Sequence, residues 1–266
     1  MILSCIVTLL ALDIPSSYFY SRLAVGVAES VARQVTTPPT LLTPNLTKVR
    51  QLSGAQYATV SHVDAASSTA LLALSSTLSH SPRSGATSSS VLPHKEHSLT
   101  KLKVWRPPRG SLSSATPVLL LDADVIVNNA SSLADICSLS SQLGRRANRH
   151  GEVPLAWARS VRRNDTEQGS GTYHGIDLPH YNGGVILLRP DALTYLRLRR
   201  LAFLETLFSD SCLGRGGCND QRLLQLYFRT GGNVDLPLRY NHPHDEAAPI
   251  YHRRGGKQAS QQADEQ

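Results

Sequence analysis

Asp122 and Asp124 are the residues best placed to do chemistry. They close the run Val118-Leu-Leu-Leu-Asp-Ala-Asp124. A wholly apolar run of this kind reads as a strand buried on both faces, and Pro117 to Leu121 is expected to form one. In open α/β sheets, ligands bind beyond the carboxyl ends of the strands. A strand that stops at two acidic residues delivers charge there, and the i, i+2 spacing lets both carboxylates face one side. Two hard oxygen ligands suit Mg²⁺ or Mn²⁺ bridging the phosphates of a substrate. Such an ion would neutralise the charge that builds on a departing diphosphate. The same spacing also fits a plainer role, with Asp122 capping a turn and Asp124 solvated.

The elements that must position this pair alternate along the chain. Ser4 to Leu10 is a buried-strand run, Tyr18 to Val31 has helical spacing, and Thr40 to Leu42 is a short strand. Leu46 to Leu52 can form a helix and Tyr57 to Val63 a third strand. Leu155 to Ala158 and Val185 to Leu188 are further strands. Asp191 to Phe208 is a long helix, and Asn219 can cap another running from Asp220 to Phe228, ended by Gly231-Gly232. Strands alternating with helices imply an α/β fold, a mostly parallel sheet with helices on both faces. Residues 64–98 are rich in Ser, Ala and Thr and read as an insertion rather than a boundary. One domain over residues 1–258 and a disordered polar tail over 259–266 are expected.

The chain has 266 residues, enough for one large domain, and a net charge of +7. The basic residues are scattered, and only four Phe and two Trp are available to stack bases, which argues against nucleic acid. The apolar start, Met1 to Leu12, has no basic region before it and no small-residue cleavage site after it. It is too short to span a bilayer, so no membrane segment is expected. The cytoplasm follows, or the Golgi lumen if the N-terminus is truncated. Cys5, Cys137, Cys212 and Cys218 form no CxxC pair and are expected to be buried or loop thiols in a reducing compartment. Only Cys212 and Cys218 are close enough for a local disulfide. Sequons at Asn45, Asn129 and Asn164 matter only in a secreted chain.

Six segments then occur in one order: Thr100-Lys-Leu-Lys-Val-Trp105, the Asp122-Ala-Asp124 run, Tyr181-Asn-Gly-Gly-Val-Ile-Leu-Leu-Arg-Pro190, Asn219-Asp-Gln221, Leu236-Pro-Leu-Arg-Tyr-Asn241 and Ile250-Tyr-His-Arg-Arg-Gly255. That succession resembles the family-8 glycosyltransferases, the group that includes glycogenin and galactinol synthase. It covers the chain from its first strand to His252. The resemblance implies a single-domain GT-A fold with a mixed, mostly parallel central sheet. It also implies retaining transfer of a hexose from a UDP-sugar to a hydroxyl acceptor, with Mn²⁺ and Mg²⁺ as the candidate ions. By position, Asp122, Asp124 and His252 match the metal ligands. Val7, Thr8, Leu9, Lys101, Ala123, Gly255 and Lys257 match donor contacts. Asn182, Asp220 and Gln221 match the residues around the transferred sugar. Gln221 is a poor nucleophile, so front-side attack is favoured, with the diphosphate helping to deprotonate the acceptor.

The chain departs from the family pattern in places. Ala11 and Leu12 stand where polar residues hold the uridine, and Lys257 comes one residue early in the HxxG ending. No self-glucosylating loop is evident. A weakened sugar-nucleotide-binding relative is therefore one alternative. A metal-dependent phosphoesterase using Asp122 is another, although Ile126 stands where the haloacid-dehalogenase class has Thr or Val, and no later GDxxxD pair occurs. The sequence does not settle oligomeric state.

Overall fold

The computed structural model describes residues 3–11, 19–64, 98–107, 110, 116–143, 155–159, 170–173, 176–179, 181–208, 220–229, 233–242 and 245–252. The chain first forms β1 (Ile6–Leu10), α1 (Phe19–Ala32), β2 (Thr40–Thr43), α2 (Leu46–Arg50) and β3 (Thr59–His62). After a 3-10 segment, Ser98–Trp105, come β4 (Val118–Leu121), β5 (Val125–Val127), α3 (Ser131–Ser138), α4 (Ser140–Leu143) and β6 (Ala156–Arg159). The last part holds β7 (Ser170–Tyr173), β8 (Ile176–Pro179), β9 (Tyr181–Leu188), α5 (Ala192–Phe208), α6 (Asp220–Tyr227), β10 (Val234–Leu236) and β11 (Ile250–His252).

Seven strands make the central sheet in the order β10-β6-β9-β4-β1-β2-β3. β9 runs antiparallel to both β4 and β6, and the other neighbours are parallel. The mixed, mostly parallel sheet expected from the sequence is therefore present. Alternation along the strands splits the core in two. Leu9, Leu119, Leu121, Val185 and Leu187 pack with Ala24, Val25, Ala28 and Val31 of α1. Leu10, Leu120, Ile186 and Leu188 face the other way, onto Trp105, Leu198, Leu223, Leu224 and Phe228. Burial on both faces is what makes the β4 and β9 runs apolar throughout. α5 starts where its acid predicts: Asp191 Oδ2 accepts from the Thr194 N–H at 2.7 Å, an N-cap bond.

Two expectations change. The strand expected over Val185 to Leu188 begins four residues earlier, at Tyr181, and all eight residues of β9 are buried. The glycine pair hid this, because Gly weakens strand patterning and marks bulges. Gly183 and Gly184 fall inside the register shift between β6 and β9. The cysteines also differ. Cys5 and Cys137 are buried, but as a disulfide joining the start of β1 to α3 across 132 residues of sequence. Spacing alone does not reveal such a pairing, because the fold brings the two residues together. Cys212 and Cys218, the Asn164 sequon, Asn219, Gly231-Gly232, most of the Ser-rich stretch and the polar tail lie outside the described residues. Among the described residues, no helix is long and apolar enough to cross a membrane.

Closing so long a loop stabilises a fold by about 2–4 kcal/mol. Reductant is expected to lower the urea midpoint of the wild-type protein. A Cys5→Ala/Cys137→Ala variant should start lower and ignore reductant. Identical midpoints for wild-type protein with and without reductant would show that the bond carries no stability.

Candidate functional site

Asp122 and Asp124 leave β4 in the turn before β5. The Asp122 N–H donates to the Gly184 carbonyl at 2.9 Å, and the Val125 N–H closes the turn onto the Asp122 carbonyl at 3.2 Å. The first bond carries the β4–β9 contact one residue past the strand. His252 arrives on β11, whose antiparallel pairing with β5 sets it opposite Val125. Its Nε2 lies 3.2 Å from Asp124 Oδ1. One ligand atom from each of Asp122, Asp124 and His252 lies within 4.8 Å of the other two. Two carboxylate oxygens and an imidazole at that spacing fit a divalent first-row ion.

Lys101 ties this group to the next. Within the 3-10 segment, a period of three residues puts Leu99, Leu102 and Trp105 on one edge, and all three are buried. That anchorage sends the Lys101 ammonium inward. Its Nζ lies 2.7 Å from Asp122 Oδ1 and 2.8 Å from Asp220 Oδ2, and it donates to the Gly183 carbonyl at 3.3 Å. Burial favours the neutral amine, but Asp122 and Asp220 outweigh it and raise the Lys101 pKa. Burial likewise lifts the Asp122 carboxyl above its ordinary value against the pull of Lys101, with Asp124 and Asp220 adding to the rise. Asp124 moves the other way: burial works upward, and His252, a backbone hydrogen bond and Lys101 together outweigh it.

Asn182 and Gln221 stand beside this cluster. Asn182 Oδ1 accepts from the Gly184 N–H at 2.9 Å. Gln221 Nε2 donates to the Tyr181 carbonyl, which also accepts from Gln225 Nε2 at 2.9 Å. Asn241 Nδ2 donates to the Asn182 carbonyl at 3.2 Å. A cavity of about 210 Å³ opens beside Asp124, between α1 and β5, lined by Arg22, Gly26, Ser30, Ala123 and Ile126 among others.

The fold thus brings together Lys101, Asp122, Asp124, Asn182, Asp220, Gln221 and His252 at the carboxyl end of β4. It does not bring Val7 or Thr8 there. Val7 pairs with Leu119 and Thr8 with Leu120, inside the sheet, and the side chains of Val7, Leu9 and Ala123 belong to the α1-facing core. Gly255 and Lys257 lie outside the described residues. Three contributors were not singled out from sequence: Gln225, Asn241 and the second glycine, Gly184. The Tyr240-Asn241 pair was visible within its segment, but nothing in its spacing pointed to a contact.

No protein-family model matches the chain, and no curated protein matches it in sequence. Among solved structures, mouse xyloside xylosyltransferase 1 in its apo form overlays with a TM-score of 0.51, covering 94% of this chain and 97% of that one at 13% identity. This chain has a GT-A glycosyltransferase fold. A glycosyltransferase involved in the glycosylation of the major capsid of PBCV-1 overlays with a TM-score of 0.46, covering 98% of this chain and 100% of that one at 12% identity.

Two residues test how the GT-A core holds the cluster. A methyl on Gly184 would stand 2.5 Å from His252 Nδ1 and 2.6 Å from its Cε1. Gly184→Ala is expected to expel the ring and so to weaken any divalent-ion binding by the three candidate ligands about tenfold or more by calorimetry, with the far-ultraviolet dichroism unchanged; a ring position unchanged by the substitution would contradict the packing. Lys101→Met leaves the half-buried Asp122 carboxylate and the buried Asp220 carboxylate without their shared cation. It should cost about 3–5 kcal/mol in denaturant unfolding, and a cost below about 1 kcal/mol would mean the pairs are screened by water.

Proposed function

We propose that this protein is a retaining glycosyltransferase, similar to family 8, that moves a hexose from a UDP-sugar to a hydroxyl acceptor. Asp122, Asp124 and His252 would hold Mn²⁺, with Mg²⁺ as the substitute. The observation that carries this reading is the convergence of those three ligands with Asn182, Asp220 and Gln221 at one sheet edge, joined through Lys101. The GT-A fold favours sugar transfer over the phosphoesterase alternative. When bound, the ion offsets the charge that builds on the departing diphosphate.

The chain's own residues bind and orient. Lys101 holds Asp122 and Asp220 at fixed separation. Asn182 keeps its Oδ1 on the Gly184 N–H, which leaves its Nδ2 to donate to a sugar hydroxyl. Gln221 has its Nε2 on the Tyr181 carbonyl, so its Oε1 is the atom that accepts from the sugar or the acceptor. Asp220 is unsuited to attack, because its Oδ2 is paired with Lys101, and an amide is a poor nucleophile. Attack therefore comes from the acceptor hydroxyl on the leaving-group face. The bond from C1 to the diphosphate breaks as the acceptor oxygen bonds to C1, and the hydroxyl proton passes to the diphosphate. Gly255 and Lys257 are assigned to the diphosphate. The cavity beside Asp124 is assigned to the nucleoside.

A second reading, a sugar-nucleotide binder of weakened affinity, is favoured by Ala11. It is fully buried and offers no polar group to a base. The compartment reading also shifts from the cytoplasm. The Cys5–Cys137 disulfide, with exposed sequon residues Asn45 and Asn129, favours an oxidising lumen.

A panel of UDP-sugars should include one that is hydrolysed in the presence of Mn²⁺ and not after chelation. Asp124→Ala should lower that rate by about a hundredfold or more. If Asp220→Ala and Gln221→Ala both left turnover intact, the placement of the sugar would be wrong. Calorimetry with UDP and Mn²⁺ separates the second reading, which requires binding without turnover.

A further inference from the structure

Two surface asparagines have every polar group but one in use. Asn45 follows β2 and is the N-cap of α2. Its N–H donates to Thr43 Oγ1 at 3.1 Å, its carbonyl accepts from the Val49 N–H at 3.1 Å and its Oδ1 accepts from the Lys48 N–H at 3.3 Å. Asn129 follows β5 and leads into α3. Its N–H donates to the Pro249 carbonyl at 3.2 Å, and its carbonyl accepts from the Ser132 N–H at 3.2 Å. Its Oδ1 accepts from both the N–H and the Oγ of Ser131, each at 2.9 Å. Neither Nδ2 has a hydrogen-bond partner among the described residues. Asn128, Asn233 and Asn241 differ, because each gives its Nδ2 to a backbone carbonyl.

The sequence around the two is the same in kind. Asn45-Leu-Thr47 and Asn129-Ala-Ser131 both read Asn-X-Ser/Thr with X other than Pro. Asn45, Thr47, Asn129 and Ser131 are exposed, and the middle residues, Leu46 and Ala130, are half-buried. Each triplet thus leaves its two recognised side chains at the surface and anchors its middle one. Asparagine oxygens that hold nearby backbone N–H groups fix the side chain at turns and helix starts. Here they fix the carboxamide with its nitrogen as the unbonded end.

We propose that Asn45 and Asn129 carry N-linked glycans when the chain folds in an oxidising lumen. The co-substrate is an oligosaccharide on a lipid diphosphate, presented by an oligosaccharyltransferase. Nδ2 bonds to the anomeric carbon of the first sugar. The bond from that carbon to the diphosphate breaks, and one Nδ2 proton is released as the lipid diphosphate leaves. The product is still an amide, so Oδ1 goes on accepting. The α2 cap and the Asn129 turn survive, and no internal hydrogen bond is lost. A bulky polar chain at the surface is therefore compatible with the fold at both positions. The proposal rests on the lumenal reading drawn from the Cys5–Cys137 disulfide, and not on sugar transfer by this chain.

The test expresses the 266-residue chain in cultured eukaryotic cells behind a cleavable secretion signal. Asn164→Gln is present throughout, so that only the sequons at Asn45 and Asn129 are read. Peptide N-glycosidase should remove the mass of two glycans from the secreted protein. Release in heavy-oxygen water should mark both positions as isotope-labelled aspartates. Asn45→Asp and Thr47→Ala should each abolish one glycan, and Asn129→Asp and Ser131→Ala the other. Aspartate keeps the capping oxygen, so these losses are separate from a loss of fold. Alkylation of free thiols in the same sample reports the disulfide. Bare Asn45 and Asn129 in protein whose Cys5 and Cys137 are bonded would overturn the proposal, and a glycan at one site alone would overturn the other. Glycans on protein with free Cys5 and Cys137 thiols would uphold the attachment sites and sink the disulfide argument for the lumen. Where a variant is not secreted, the map of the parent chain decides.

Discussion

Burial works against a charged lysine, and Lys101 is nonetheless kept charged because carboxylates stand on two sides of its ammonium, at 2.7 and 2.8 Å. The same ammonium is what lets those carboxylates be buried so close to each other. Without it, Asp122, Asp124 and Asp220 would repel at short range in a medium that screens poorly. The strand-end geometry depends on this balance. Asp122 belongs to the turn after β4 and Asp220 to the first turn of α6, and no strand pairing connects those two elements. The ion pairs supply the connection, so the spacing between the candidate metal ligands and Gln221 is set electrostatically as well as by packing.

Asp122 and Asp124 differ by two residues and have opposite environments. Burial is the largest influence on both: it prevails at Asp122 and lifts its carboxyl, whereas at Asp124 His252, a backbone hydrogen bond and Lys101 together overturn it and lower the carboxyl. Groups pushed apart in this way take different roles. Asp124 is the carboxylate that stays ionised and pairs with the imidazole. Asp122 is paired with the Lys101 ammonium at 2.7 Å.

Much of this arrangement was legible in the residues. β1, β4, α1 and α5 announce themselves because burial on one or both faces leaves a periodic or continuous apolar record. The acidic pair was legible because its two members are near neighbours in sequence. What stayed hidden depends on register. β5, β10 and β11 have three residues each, too few to show a period, and β5 and β11 exist because they pair with each other. β9 was read four residues short because glycines carry no pattern. The Lys101 bridge needs the 3-10 segment, β4 and α6 in contact, and the Cys5–Cys137 bond needs α3 against β1. Neither is a property of any short window.

Gly184 shows how the two kinds of information combine. Glycine is common in turns, yet Gly184 sits in a buried antiparallel strand where positive φ plays no part. Its value is the absence of a side chain. The Asp122 N–H bonds its carbonyl, the Asn182 side chain bonds its N–H, and the His252 ring and Asn241 amide lie against its Cα. Any side chain would occupy the space where strand-end backbone and imidazole meet. The close approach that this glycine permits brings a residue from near the far end of the described chain onto the acidic pair. β9 is thus more than a filler between β4 and β6: it is the floor on which the candidate ligands are assembled.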